Sequence, residues 1–395
     1  MNKDTISLND IEQVLDLTVK EDRENKLLTF FALLSTYTEN SQLNLSFNAP
    51  SSSGKTFIPL EVAKLFPKDD LIKLGNASPT SFFHEEGVYD KEKNIITVDL
   101  SRKAIIFLDQ PNTELLSRMR SLLSHDEKII ISKITDKNQK GGNRTKTVSI
   151  IGYPSVIFCS ASTRIDEQEA TRFILLSPET SQEKISHSIQ SSLDIATNPE
   201  SFYQKIEDNE LRKKIVDRIC MIKGLNIQNI LIPEENNIKE RFTDIVGKYK
   251  PRNQRDIKHI INIAKAVALL NPFDKMLSDD SILANKEDIE VAFDLWGAIG
   301  KSQQLNLPPY ILEIYYEDIL KPYVVAYKRN LKAKGLERND IISSYFHRTS
   351  RPLDVTTFRL QILPMLESAG LIYQQRDEVD KRKYLIYPTN TSQKL

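Results

Sequence analysis

The chain is poor in cysteine, has no membrane-length apolar run and carries no net charge, and each lack narrows what it can be. Its 395 residues include two cysteines, Cys159 and Cys220. They lie far apart and lack metal-ligand spacing, which argues against a disulfide framework or a Cys-based zinc site and fits a reducing compartment. No hydrophobic stretch approaches the roughly 20 residues of a bilayer-crossing helix. The N-terminus, Met1-Asn2-Lys3-Asp4, has no signal-peptide core. The expectation is a soluble intracellular protein with no membrane partner. Lys plus Arg number 54 and Asp plus Glu number 54, so no global field draws the chain to nucleic acid; any such attraction must come from local patches. There is no internal repeat and no long low-complexity tract. The length suffices for two or three domains with substantial cores.

What is present starts with Ala49-Pro50-Ser51-Ser52-Ser53-Gly54-Lys55-Thr56. The stretch follows an alternating apolar/polar run, 43–47, and precedes a run of helical spacing, 57–66. A strand, a tight loop and a helix start aim several backbone N–H groups and a positive dipole end at one anion. In that frame Pro50, Ser51, Ser52, Ser53 and Gly54 form a phosphate-binding loop for ATP. Lys55 would reach the β- and γ-phosphates, and the Thr56 hydroxyl would ligate Mg²⁺. Ala49 stands where a first glycine is usual, so it must adopt a conformation open to an L-residue.

A second run, Ala104-Ile105-Ile106-Phe107-Leu108-Asp109, reads as a buried parallel strand whose last residue faces the nucleotide. Asp109 would hold the Mg²⁺ through water. Gln110 follows where such ATPases usually place a glutamate that activates the attacking water. Glutamine can orient a water but cannot take its proton. Either another carboxylate serves, with Glu114, Glu85 and Glu86 as candidates, or hydrolysis is slow.

Along the chain, residues 1–40 read as two N-terminal helices, with Ser7, Asn9 and Asp10 as cap candidates and Leu27, Leu28, Phe30, Phe31, Leu33 and Leu34 as a buried face. From 41 to 182, strand-like runs at 43–47, 70–74, 95–98, 104–108, 129–134, 146–151, 155–160 and 173–176 alternate with helical or loop segments, which argues for a doubly wound α/β sheet. Residues 183–305 look helical, without a convincing strand, and 306–395 hold a linker helix and a small terminal unit.

Between the two strand-like runs at 129–134 and 146–151 lies a Gly-Gly tip, Gly141-Gly142, the signal of a hairpin over 129–151. Its charges are Lys133, Lys137, Lys140, Arg144 and Lys146 against Asp136. A basic ribbon tip suits a phosphate backbone, with Lys137, Lys140 and Arg144 as nucleic-acid contacts, although a solvated surface turn would look the same. The next run, Ser155-Val156-Ile157-Phe158-Cys159-Ser160-Ala161-Ser162, ends in small polar residues, of which Ser160 is favoured over Ser162 to touch the γ-phosphate or the water.

In order, the chain has a phosphate loop, a strand ending in Asp, a basic hairpin, a strand ending in Ser, and Glu169-Ala170-Thr171-Arg172-Phe173. That order resembles AAA+ ATPases of the pre-sensor-1 β-hairpin group, which includes minichromosome-maintenance and superfamily-three helicases. The resemblance covers roughly residues 20–300. It implies an α/β P-loop NTPase core (41–182) with a helical lid (183–305). It also implies a hexameric ring with ATP at subunit interfaces and hairpins lining a DNA channel. On it Ser160 takes the sensor-1 place, Arg172 looks like an arginine finger acting on a neighbour's γ-phosphate, with Arg164 as rival, and Arg255 or Arg252 falls where a lid helix would contact the nucleotide.

The terminal unit resembles a winged helix. Asn339-Asp340 is the expected cap of one helix, running through His347. Asp354 starts a second, 355–368, with Phe358, Leu360, Leu363 and Leu366 inward and Pro364 expected to kink it; Gly370 is a C-cap candidate. A charged hairpin follows. Arg359, Gln361, Lys381, Arg382 and Lys383 could meet DNA, while Asp377, Glu378 and Asp380 weaken that reading and leave protein contact open.

Together these imply an ATP-dependent DNA helicase or translocase of a prokaryotic or mobile-element replication system, working as a homo-hexamer with a separate primase or initiator. A non-motor initiator, loader or transposition regulator is the alternative, and an ATP-switched winged-helix regulator the second.

Overall fold

The computed structural model describes residues 5–83, 87–90, 95–136, 144–161, 171–233, 235–329 and 334–389. Along residues 45–176 run strands β1 (Leu45–Asn48), β2 (Leu71–Leu74), β3 (Val88–Asp90), β4 (Ile95–Asp99), β5 (Ala104–Phe107), β6 (Ile129–Asp136), β7 (Arg144–Ile151), β8 (Ser155–Ser160) and β9 (Ile174–Leu176). Every residue of β1, β5, β8 and β9 is buried, as strands covered on both faces must be. They form, with β2, one parallel sheet in the order β2–β5–β8–β1–β9. The chain is thus α/β, as its alternating pattern predicts. Among the described residues no helix is long and apolar enough to cross a membrane.

Three of the expected strands go elsewhere. The runs at 95–98, 129–134 and 146–151 belong to a separate four-stranded sheet, β3–β4–β7–β6. A short connection can join only antiparallel neighbours, so β6 and β7 pair with each other, from Ile129 opposite Ile151 to Asp136 opposite Arg144. Each arm extends two residues nearer the tip than its apolar pattern predicts. Strand β4 then pairs parallel to β7.

The N-terminal helices are Leu8–Leu15, opened by a reciprocal Ser7/Asp10 capping box, and Arg23–Leu34. The second is buried from Asn25 to Leu34, because it packs between the helices Phe57–Ala63 and Asn253–Leu270. The edge of the parallel sheet at β9 is closed by a side chain. Gln303, on the helix Lys286–Leu305, accepts from the Leu175 N–H at 3.0 Å and donates to the Leu175 carbonyl at 2.8 Å, which satisfies an edge that would otherwise offer free backbone groups.

Residues 182–305 are largely helical, yet they include a small sheet of β10 (Asn229–Leu231), β11 (Met276–Ser278) and β12 (Ser281–Leu283). Runs of three residues are too short to show periodicity. In the terminal unit, β13 (Leu336–Glu337), β14 (Ile372–Arg376) and β15 (Tyr384–Pro388) form a sheet in the order β13–β15–β14, beside the helix Arg338–Thr349 and a second helix over 355–368. Pro364 does not break that second helix. The turn Phe358–Ile362 widens to the π form just before it, which accommodates a residue with no N–H. The wider turn rotates the face: Phe358, Ile362, Leu363 and Leu366 point inward, and Leu360, expected inward, is half exposed.

Two partly buried histidines are held neutral. His125 places Nε2 3.1 Å from the Gln42 amide oxygen, and His259 stacks on Trp296. Burial pushes both imidazoles down to about 4, helped by Lys258 for the first and Arg252 for the second. The unfolded chain, with pKa near 6.5, therefore binds more protons than the folded chain between those values. Stability from these rings is complete above about pH 6.5 and is lost as pH falls towards 4. The melting temperature should drop through this window, and more shallowly in His259→Asn; an unchanged slope in that variant would contradict the buried neutral ring.

Candidate functional site

Register brings the site together. Asn48 of β1 lies opposite Ser160 of β8, and Phe107 of β5 opposite Phe158 of β8. Two residues beyond that last pair, Asp109 and Ser160 are level. Three strand ends thus form one row: the 49–56 loop leaves β1, Ser160 ends β8, and Asp109 follows β5. The Ala49 N–H donates to the Ser160 carbonyl at 3.2 Å. The Ser160 hydroxyl donates to the Gln110 amide oxygen at 2.7 Å, and the Gln110 N–H donates to the Asp109 carboxylate at 2.8 Å. Ser160, Gln110 and Asp109 are a connected chain, and Asp109 itself is exposed.

The loop turns through Ser52 at φ 61° and Gly54 at φ 87°, two left-handed positions. Ala49 is not among the positive-φ residues, so alanine is tolerated where glycine is usual. Gly54 is needed for its backbone: any side chain there is strained. Successive turns of this kind orient N–H groups toward one concavity. The Phe57 and Ile58 N–H groups both meet the Gly54 carbonyl, at 3.0 and 3.3 Å, which starts the helix Phe57–Ala63. Lys55 folds back with Nζ 3.4 Å from the Pro50 carbonyl. The Ser53 hydroxyl is buried with no hydrogen-bond partner among the described residues, an expense that a phosphate oxygen at the loop would remove.

Beside the loop opens a cavity of about 490 Å³, lined among others by Val19, Ser53, Phe57, Ile189 and Tyr203. Its size and its apolar walls next to a polar loop suit a small-molecule ligand such as a nucleotide. One of its lining residues, Lys184, belongs to a buried ion pair that local sequence does not reveal. Lys184 bonds to Asp22, which also accepts from the Asn25 side-chain amide at 2.8 Å and the Glu179 N–H at 2.7 Å. A charge this buried needs such partners. Asp22 and Lys184 are 162 residues apart, and nothing local in the sequence pairs them. Cys159 is a second neighbour of the loop without a sequence signal: its thiol donates to the Lys55 carbonyl at 3.3 Å.

Other candidates lie elsewhere. Arg172 and Arg255 are at the opposite, N-terminal edge of the strands, since Ile174 of β9 pairs with Leu45 at the start of β1. Arg172 donates to the Ser124 hydroxyl at 2.6 Å, and Arg255 bonds the Thr171 hydroxyl. The fold brings these two arginines to one neighbourhood and does not bring Arg255 to the Lys55 loop of its own chain. Arg252 is internal, bonded to Asp256, Asn306 and Gln303. Glu114 pairs with Arg118 on the helix Thr113–Arg118. Glu85, Glu86, Lys137, Lys140 and Arg164 lie outside the described residues, and Arg144 begins β7.

On the terminal unit Arg359 is exposed and Gln361 partly so. Arg382 is paired with Asp380 at 3.0 Å and Lys383 with Glu337 at 2.8 Å, which weakens the positive field expected of this hairpin. Lys381 is exposed without an acid partner among the described residues.

Compared with known proteins, the sequence matches no family model and no curated protein.

The two cysteines should behave differently. Cys220 is exposed and Cys159 buried, and burial pushes the Cys159 thiol up to about 11, leaving no nucleophilic thiolate at neutral pH. A thiol reagent at pH 8 should titrate one cysteine in the folded chain and two after unfolding. Prompt labelling of Cys159 in the folded protein would contradict this packing.

Proposed function

We propose that the chain is an ATPase of the AAA+ kind that works on DNA as a helicase or translocase in a replication system, assembled as a ring of identical subunits. The observation that carries the reading is the row of three strand ends, which sets the Lys55 loop, Ser160–Gln110 and Asp109 along one edge of the parallel sheet. The position of the β6/β7 hairpin, immediately before β8, supports the closer resemblance to the pre-sensor-1 hairpin group.

In this reading the loop N–H groups, Ser53 and Lys55 bind the phosphates of ATP, and the apolar wall of the adjoining cavity takes the base. Thr56 and Asp109 are hard oxygen donors, suited to Mg²⁺, and fit that ion. When bound, Mg²⁺ neutralises charge on the phosphate oxygens. Gln110, its side-chain oxygen engaged by Ser160, orients the attacking water through its remaining N–H donors without accepting the proton. Arg172, at the far edge of the strands, serves a neighbouring subunit's site. Lys137, Lys140 and Arg144 meet the DNA backbone. The terminal unit acts as a winged helix, with Arg359 and Lys381 as its unneutralised DNA contacts and Arg382 and Lys383 as weaker ones.

The Ser160–Gln110 bond also favours a second reading. With an amide in the water-activating place, ATP could drive assembly of an initiator, loader or transposition regulator on DNA, or switch a winged-helix regulator, with hydrolysis as a slow timer.

Steady-state hydrolysis with and without single-stranded DNA tests the motor. ATP turnover should be lost in Lys55→Ala, rise several-fold with single strands in the wild type, and lose that rise in Lys140→Ala/Arg144→Ala. Turnover that is negligible or indifferent to DNA rejects the motor and leaves the assembly reading. Gln110→Glu, by supplying a general base, should raise the basal rate by about 100-fold; an unchanged rate would mean that Gln110 does not face the water.

A further inference from the structure

The end of the first helix of the terminal unit puts an arginine on the phosphate loop. The helix Arg338–Thr349 ends at Ser350 in the left-handed conformation, φ 55°, and the Arg351 N–H turns back to the Thr349 hydroxyl at 3.2 Å. This sharp stop projects Arg351 toward the 49–56 loop, where Nη2 donates to the Ser52 carbonyl at 2.9 Å across 299 residues of sequence. Arg351 also lines the cavity beside the loop.

No carboxylate among the described residues answers its charge. Of the three lysines lining the same cavity, Lys64 and Lys184 are paired with the acids Glu61 and Asp22, and Lys20 bonds the Asp16 backbone carbonyl. Arg351 is partly buried, and among the described residues its guanidinium has that one carbonyl and no carboxylate. A guanidinium carries five N–H donors in a fork that matches phosphate oxygens. A cation partly removed from water beside a loop built to receive an anion is stabilised when the anion arrives.

We propose that Arg351 is a phosphate ligand of the nucleotide site, supplied to the Lys55 loop by the terminal unit of the same chain. The proposal rests on the nucleotide reading of that loop. It adds a linkage: a nucleotide held by Arg351 strengthens docking of the terminal unit on the core, and docking strengthens nucleotide binding by the same factor. The 334–389 unit, placed outside the ATPase core by sequence order, thereby becomes part of its site.

The test is the affinity of the full-length chain for ATP, ADP and AMP, measured for wild type, Lys55→Ala, Arg351→Ala and Arg351→Lys. Loss of a charged hydrogen-bonding partner should weaken ATP binding about 10- to 100-fold in Arg351→Ala. The loss should be smaller for AMP, and Arg351→Lys, which restores charge but not the fork, should recover part of it. ATP affinity within about twofold of wild type, or an equal loss for all three nucleotides, overturns the proposal, the latter because Arg351 would then only shape the loop. Should Arg351→Ala not fold, Arg351→Gln, which can still donate to Ser52, gives the same comparison. Nucleotide binding lost in Lys55→Ala but untouched in Arg351→Ala sinks this proposal alone. A wild type that binds no nucleotide, or binds it regardless of Lys55, removes the loop reading beneath it.

Discussion

The parallel register of β1, β8 and β5 is the constraint on which the rest depends. Parallel strands share a direction, so their C-terminal ends open at one edge, and the pairings Asn48–Ser160 and Phe107–Phe158 bring those ends level. A slip of one residue in β8 would turn Ser160 away from Gln110 and reverse which of its side chains face each side of the sheet. That register is protected by burial on both faces, because every side chain of β1, β5 and β8 is in the core. The same burial that forms the core therefore positions the site.

Around that row, long-range polar contacts fix what the strands alone leave open. Asp22 and Lys184 tie the N-terminal segment to the helix Gln182–Thr197 beside the cavity, and Gln303 closes β9 from the helix Lys286–Leu305. Removing one partner of a buried ion pair such as Asp22–Lys184 costs about 3–5 kcal/mol, since the other charge stays buried. The same logic applied in reverse points to Arg351, with no carboxylate partner among the described residues, and to the Ser53 hydroxyl, buried there without a hydrogen bond.

Much of this architecture is legible in the order of residues. The strand–loop–helix succession around Lys55 follows from local alternation and spacing, and the capping box at Ser7 and Asp10 from residue type. The hairpin is legible too, though its arms are longer than their apolar pattern, because pairing across Asp136 and Arg144 needs no hydrophobic residue. Three kinds of feature are hidden. The division of the strands into two sheets depends on which segments can reach each other. The orientation of Leu360 depends on a widened turn ahead of Pro364. The position of Arg255, at the opposite edge from the Lys55 loop, depends on how the helix Asn253–Leu270 packs.

The sequence by itself determined the class of each long element and the strand–loop–helix succession around Lys55, because φ/ψ preference and side-chain period are properties of neighbouring residues. The tertiary structure alone decided which elements share an edge, which charges are answered, and that an arginine at 351 meets a carbonyl at 52. Those are matters of packing over hundreds of residues, where burial and charge compensation choose the partner and sequence distance carries no information.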